Sequence, residues 1–289
     1  MELTFEYWFM FPIAIVFATT AMASGVEGAT FFTPTFILAL GLPADIAIGT
    51  GLITEVFGFA SGLTAYARRR LIDYRLGFSL LVVTIPMALL GTWVAGLVAA
   101  DILKAILGVG LFVVAASFLR SPEPRQVKRQ DDAIEEEYGG EKAETCLVTR
   151  EGEQICYTVC NRTEGRTLAG VGALFLGMIS TGLGELNGYF LLRRCWVPSR
   201  VAVATSVFVV AVTALLASTG HFIKFAQAGG ETLSTVLSLV MFTVPGVIIG
   251  GQIGPFVASR ISQHTLERSL AILFILVAAL MIGEIILRS

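Results

Sequence analysis

"GMISTGLGELN" (177–187) lies inside a long apolar stretch, and its reading decides the architecture of the chain. Gly177, Gly182, Gly184 and, just beyond, Gly188 are poor helix material. Glu185 places a carboxylate among them, where hydrocarbon makes an ionised group costly by several kcal/mol. Both faults fit a membrane helix that is broken on purpose, and the surrounding chain supports that reading.

The 289 residues are 55% hydrophobic and only 15% charged, with a mean hydropathy of +0.79. A soluble domain carries about 25% charged residues. Lys, Arg and His are absent from Met1 to Ala67, Leu76 to Leu103, Thr167 to Leu192 and Val201 to Gly220, and a span needs about 20 apolar residues. The expectation is an all-α polytopic membrane protein, since the alternating segments of a β-barrel do not appear. The first segment is preceded by Glu2 and Glu6 rather than a basic region, so it reads as mature protein. A net charge of -2 and the lack of an aromatic-laced basic patch point away from nucleic acid.

One segment breaks the apolar pattern. Residues 121–165 open with Pro122 and Pro124 and mix basic with acidic runs. "TCLVTR" and "QICYTV" flank the turn "EGE", as in a β-hairpin. The chain therefore divides into an N-terminal transmembrane repeat (1–120), a cytoplasmic linker or mini-domain (121–165) and a C-terminal transmembrane repeat (166–289). Cys146, Cys156 and Cys160 lack zinc-knuckle spacing and a nearby His, and in the cytoplasm they are expected as reduced thiols. Cys195 stands alone near a loop.

The two hydrophobic parts repeat the same anchors in the same order. "SGVEG" (24–28) precedes "GLPADIAIGT" (41–50) as "TGLGE" (181–185) precedes "WVPSRVAVAT" (196–205). "PMALLG" (86–91) then matches "PGVIIG" (245–250), and "DILKAILGV" (101–109) matches "HTLERSLAI" (264–272). Each half holds five apolar segments: 8–24, 29–41, 46–67, 76–99 and 103–119, then 166–181, 186–195, 199–222, 232–257 and 265–287. The second of each set is too short to cross about 30 Å of hydrocarbon. It therefore pairs with the first as a hairpin whose Gly-rich tip ends inside the membrane. Basic loops at 68–75, 193–200 and 260–268 are expected in the cytoplasm, with the N- and C-termini outside and the halves inverted.

Inverted repeats with interrupted helices are the sequence pattern of a secondary transporter, one half rocking against the other. Broken helix ends expose unpaired N–H groups and a positive dipole end, which attract anions. The candidate substrate-binding residues are Ser24, Gly25, Gly28, Thr30 and Thr50 in the first half, and Thr181, Gly182, Gly184, Asn187, Thr205 and Ser206 in the second. The glycines could equally serve close helix packing. Thr50, Thr205 and Ser206 could equally bond back to their own helices.

Glu27, Glu55 and Glu185 are the carboxylates within apolar segments and the candidate proton-coupling groups. Each could instead stay protonated, bonded to backbone freed at a break. Val210 takes the place of Glu55 in the second half. Glu284 is expected to snorkel, and His221 and Lys224 to sit at a helix end in the interface. No cofactor or metal site is expected, and HExxH and GxSxG are absent, which argues against an enzyme.

These anchors resemble the sulfite exporter TauE/SafE family, also called TSUP. The likeness is carried by residues 23–75, "PMALLGTWVAGLV", "GMISTGLGELNGYFL", "VPSRVAVATS" and "PGVIIGGQIG". It implies a multi-pass carrier of the bacterial inner membrane that moves sulfite, sulfoacetate or other organosulfonates, coupled to protons. Family tips tend toward "GxGGG", whereas Glu27 and Glu185 interrupt the glycines here. A passive channel for small anions or neutral solutes and a cation or metal carrier using the acidic tips are the alternatives.

Overall fold

A computed structural model describes residues 4–24, 27–119, 129, 133, 145–258 and 263–288. The first half runs α1 (Met10–Ser24), α2 (Ala29–Leu38), α3 (Ala44–Arg69), α4 (Tyr74–Ala95) and α5 (Ala100–Leu119). Strands β1 (Thr145–Val148) and β2 (Gln154–Tyr157) follow as an antiparallel pair. The second half runs α6 (Arg162–Ile179), α7 (Leu183–Gly188), a π-helical continuation (Tyr189–Arg194), α8 (Ser199–Ala228), α9 (Gly230–Ala258) and α10 (Gln263–Arg288).

Helix boundaries follow local chemistry. Pro43 and Pro198 precede α3 and α8, where a fixed φ and a missing N–H cost nothing. Asp73 caps α4 by accepting the Leu76 N–H at 2.9 Å, and Asn161 caps α6 by accepting those of Thr163 and Glu164. α6 stops where Ser180 (φ 57°) and then Gly182 (φ 119°) turn left-handed, a region glycine enters without penalty. α8 continues about two turns past the expected end at 222, because its polar residues find partners along the way.

Among the described residues, four helices are long and apolar enough to cross a membrane: Ala44–Arg69, Tyr74–Ala95, Ser199–Ala228 and Gly230–Gly254. α1 and α2 are shorter. The protein is an all-α polytopic membrane protein.

Packing obeys a swap between halves. α1 lies along α9, and its counterpart α6 lies along α4; α3 meets α9 as α8 meets α4; α3–α8 and α5–α10 pair across the axis. Glycines permit close approach in both the α4–α6 and the α1–α9 pairs. A Cβ on Gly91 would lie 2.1 Å from the Leu174 carbonyl oxygen of α6, and one on Gly250 would lie 2.5 Å from the Ile15 carbonyl oxygen of α1. Hydroxyl pairs repeat the relation: Thr84 with Thr213 at 2.8 Å, and Thr243 with Thr54 at 2.9 Å. Both Thr84 and Thr243 stand two residues before a proline, Pro86 or Pro245.

The strand pair caps one end of the bundle, beside the loops at 70–73 and 195–198. The Arg150 N–H donates to the Arg69 carbonyl, and the Tyr157 hydroxyl donates to Asp73 Oδ2 at 2.7 Å. Burial and that carboxylate push the Tyr157 phenol well above its ordinary value, so it stays a donor. We call this end the hairpin face and the other the termini face.

The expectation of free thiols is corrected. Cys146 and Cys156 sit opposite each other in the strand register and form a disulfide, and Cys160 joins Cys195 across the loop that follows the π-helical run. Among the described residues no free cysteine remains. The segment between 120 and 144 lies outside the described residues, apart from 129 and 133.

Candidate functional site

The two helix breaks meet in the interior. Thr30, in the first turn of α2, bonds Thr181 hydroxyl to hydroxyl at 3.1 Å, and Thr33, one turn on, bonds Ser180 at 3.0 Å. All four side chains are buried. The break before α2 thus docks against the break before α7.

Glu27 completes the junction. Its Oε1 accepts the Gly184 N–H at 2.6 Å and its Oε2 accepts the Gly182 N–H at 2.8 Å. These N–H groups lie at the start of a helix and have no backbone partner within it. Gly184 allows this approach: a Cβ there would lie 3.1 Å from Glu27 Oε1. One half of the molecule therefore supplies a carboxylate to the exposed amides of the other. The helix that carries these amides runs twelve residues from Leu183 through the π-helical segment to Arg194.

Glu185 shares the same donor. Its Oε2 accepts the Gly182 N–H at 3.1 Å, while its Oε1 is buried without a hydrogen bond. Glu55, from the middle of α3, lies against the first turn of α2, near the N–H groups of Gly28 and Ala29. Neither of its oxygens completes a hydrogen bond, although the residue is only 3% exposed. Asn187 Nδ2 is a fourth buried atom left unsatisfied. Buried polar groups are ordinarily paired, so these four atoms set the junction apart from the rest of the described interior.

The remaining candidates divide. Ser24 is the last residue of α1, and nothing is described of its side chain; Gly25 lies outside the described residues. Thr50 bonds back to the Ile46 carbonyl at 2.7 Å. Thr205 accepts the Asp73 N–H at 3.0 Å and so braces the hairpin face rather than the junction. Ser206 is buried in the same turn. Thr33 and Ser180 escaped the sequence reading; the hydroxyl three residues after Thr30 and the residue beside the break were the available signals. The placement of His221 in the interface is corrected. It is 3% exposed, and its Nε2–H donates to the Gly177 carbonyl at 3.0 Å. Gly49 leaves it room, since a Cβ there would lie 3.0 Å from His221 Cβ. Lys224, half-buried, donates to the Thr92 carbonyl.

The model of the sulfite exporter TauE/SafE family matches residues 10–281, nearly the whole chain. The chain belongs to the TauE/SafE family. Two curated relatives come from Bacillus subtilis (strain 168). The "Probable membrane transporter protein YunE" is 22% identical over 279 residues, covering 94% of this chain and 96% of the relative. The "Probable membrane transporter protein YjnA" is 26% identical over 253 residues, covering 82% and 86%. No solved structure matches the chain. As a TauE/SafE membrane transporter it carries its interrupted helices at matching positions in both halves, with the buried junction between them.

Proposed function

We propose that this TauE/SafE protein is a proton-coupled secondary transporter of small sulfur oxyanions, such as sulfite, sulfoacetate or other organosulfonates. The observation that carries the reading is the carboxylate of Glu27 on the amides of Gly182 and Gly184. A carboxylate on those amides stands in for a substrate oxyanion, because both present paired oxygens to the same donors. Substrate and ionised Glu27 exclude each other there. When Glu27 takes a proton and releases the amides, an anion replaces it, and the charge of the junction is unchanged. One proton then accompanies each monovalent anion. The hydroxyl proton not spent on the Thr30–Thr181 bond and the unpaired Asn187 Nδ2 are donors available to the remaining oxygens.

A cation carrier is the second reading, favoured by the three carboxylate oxygens left open at the junction; the other three already accept N–H bonds, which supports the anion reading. The test is uptake of labelled organosulfonate by proteoliposomes, with and without a pH gradient. Saturable uptake driven by the gradient is expected. Uptake that ignores the gradient removes proton coupling, unsaturable flux favours a channel, and competition by divalent cations but not sulfonates removes the anion reading.

A further inference from the structure

The helical hairpin of α6 and α7 carries the amides that hold Glu27, and its two ends are tied together. Cys160 stands just before Asn161, the cap of α6, and Cys195 just after the π-helical run that continues α7. Their disulfide closes a loop containing α6, the break at Ser180–Gly182, α7 and the π-helical segment, with the junction at its far end. The matching hairpin of α1 and α2 contains no cysteine, since the four of the chain are Cys146, Cys156, Cys160 and Cys195. One tip of the junction is thus stapled at its base and the other is not. The Cys146–Cys156 bond stays within the strand pair and encloses no part of the hairpin.

The staple governs the second arm because the first is already fixed. α6 is seated on α4 through Gly91 and Gly177, so freedom at the base belongs to α7 and the π-helical run. The arms meet along an apolar seam in which α6 supplies glycine. A Cβ on Gly172 would lie 2.8 Å from Leu183 Cα, and one on Gly165 would lie 2.4 Å from the Phe190 ring. Glycine brings backbones close without side chains that interlock. The Glu164–Arg194 pair also bridges the base at 3.0 Å, but both side chains are partly exposed, and such pairs hold weakly.

Access and compartment supply the chemistry. Cys160 is exposed whereas Cys195 is buried, so an incoming thiolate reaches the Cys160 sulfur. With the hairpin face in the cytoplasm, as its basic residues lead us to expect, a disulfide belongs to the transient or redox-sensing kind. We propose that Cys160–Cys195 is a reversible redox site, reduced by a cytoplasmic dithiol protein, and that its reduction frees the second arm and speeds transport. The thiolate of the dithiol attacks Cys160 Sγ, the S–S bond breaks, and Cys195 leaves as a thiolate that takes a proton. The second thiol of the dithiol then displaces Cys160 from the mixed disulfide. The dithiol loses two electrons and both cysteines end as thiols. The effect on transport rests on the function proposed above, because this arm carries the amides that the anion takes.

Wild-type protein, Cys146→Ser/Cys156→Ser and Cys160→Ser/Cys195→Ser are compared with and without dithiothreitol under native conditions. Hydrogen–deuterium exchange and sulfonate uptake in proteoliposomes are the readouts, and alkylation with mass mapping counts the thiols. In wild type and in Cys146→Ser/Cys156→Ser, reduction is expected to speed exchange across residues 183–195 about tenfold or more. The initial uptake rate should rise with it, while exchange in α2 stays unchanged. Cys160→Ser/Cys195→Ser should match the reduced protein before treatment and ignore the reagent. The proposal fails if the folded wild type resists reduction, if measurable wild-type uptake is the same in both states, or if Cys160→Ser/Cys195→Ser still responds. Labelling that places the hairpin face outside the cytoplasm overturns it too. An exchange response with no sulfonate uptake by any form removes the substrate reading and keeps the redox site. Should the Ser variants fail to fold, mass mapping of partly reduced wild type must assign the response to Cys160 and Cys195, or the proposal falls.

Discussion

Replacing Glu27 by glutamine tests the exchange of carboxylate for substrate most directly. When ionised, Glu27 makes two charge-assisted bonds, to Gly182 and Gly184, worth about 1.5–3 kcal/mol each. Glutamine has one carbonyl oxygen, so it keeps a single neutral bond of about 1 kcal/mol and turns an NH2 toward the other amide. The tethered competitor is thereby weakened by roughly 2–5 kcal/mol, and even the lower end is about 30-fold in Kd. The pH dependence changes too. In the wild type, substrate binding consumes a proton wherever Glu27 is ionised, so Kd should rise about tenfold per pH unit there. In Glu27→Gln that slope should vanish, leaving affinity high at all pH. Isothermal titration with an alkylsulfonate between pH 5 and 8 measures both quantities, because a sulfonate keeps its charge across the range. A Glu27→Gln protein that retains the wild-type slope, or binds more weakly at pH 8, would refute the exchange.

Other perturbations separate the remaining roles. Gly184→Val should abolish sulfonate binding while leaving Tm within a few degrees, since the three atoms nearest a Cβ there all belong to the Glu27 side chain; a fall in Tm with binding intact would make the glycine a packing element. Glu185→Gln removes the second carboxylate on the Gly182 amide, and the pH profile of uptake should shift without loss of folding; an unchanged profile makes Glu185 structural. Gly91→Ala drives a methyl against the Leu174 carbonyl and should destabilise the protein by about 1–3 kcal/mol or more, read as a lower Tm in detergent. Arg68, Arg69, Arg70, Arg75, Arg162, Arg166, Arg194 and Arg200 all belong to the hairpin face, so we expect that face in the cytoplasm. Its two disulfides are unusual for that compartment. A single cysteine introduced at Glu151 in a cysteine-free background should react with an impermeant maleimide in inverted vesicles only; labelling in intact cells reverses the orientation.

The breaks were readable because each violates local rules twice, through glycine and through a carboxylate. The element order was readable because apolar runs in a membrane need only length and composition. Tertiary pairing was not. Nothing along the chain joins Glu27 to amides 155 and 157 residues away, and the sequence alone assigns those amides to substrate. Thr205 resembles Thr50 by position, yet one braces a loop and the other bonds to its own helix. His221 read as interfacial because polarity usually marks a helix end; the structure satisfies it with the Gly177 carbonyl of a neighbouring helix. Cys195 read as solitary because its partner Cys160 lies 35 residues earlier, across an entire hairpin of helices.

The swapped packing has a mechanical consequence. Because α1 is seated on α9 and α6 on α4 through glycine-lined contacts, separating the two halves of the chain as rigid bodies would tear open two extensive glycine-lined interfaces. A motion that spares them must carry α1 with α9, and α4 with α6, each body assembled from both ends of the polypeptide. The boundary between such bodies then runs between the two breaks. It is crossed there by the Thr30–Thr181 and Thr33–Ser180 bonds and by one carboxylate on two amides. Letting go of those amides would be, in that picture, both the release of a binding position and the unlatching of the moving parts.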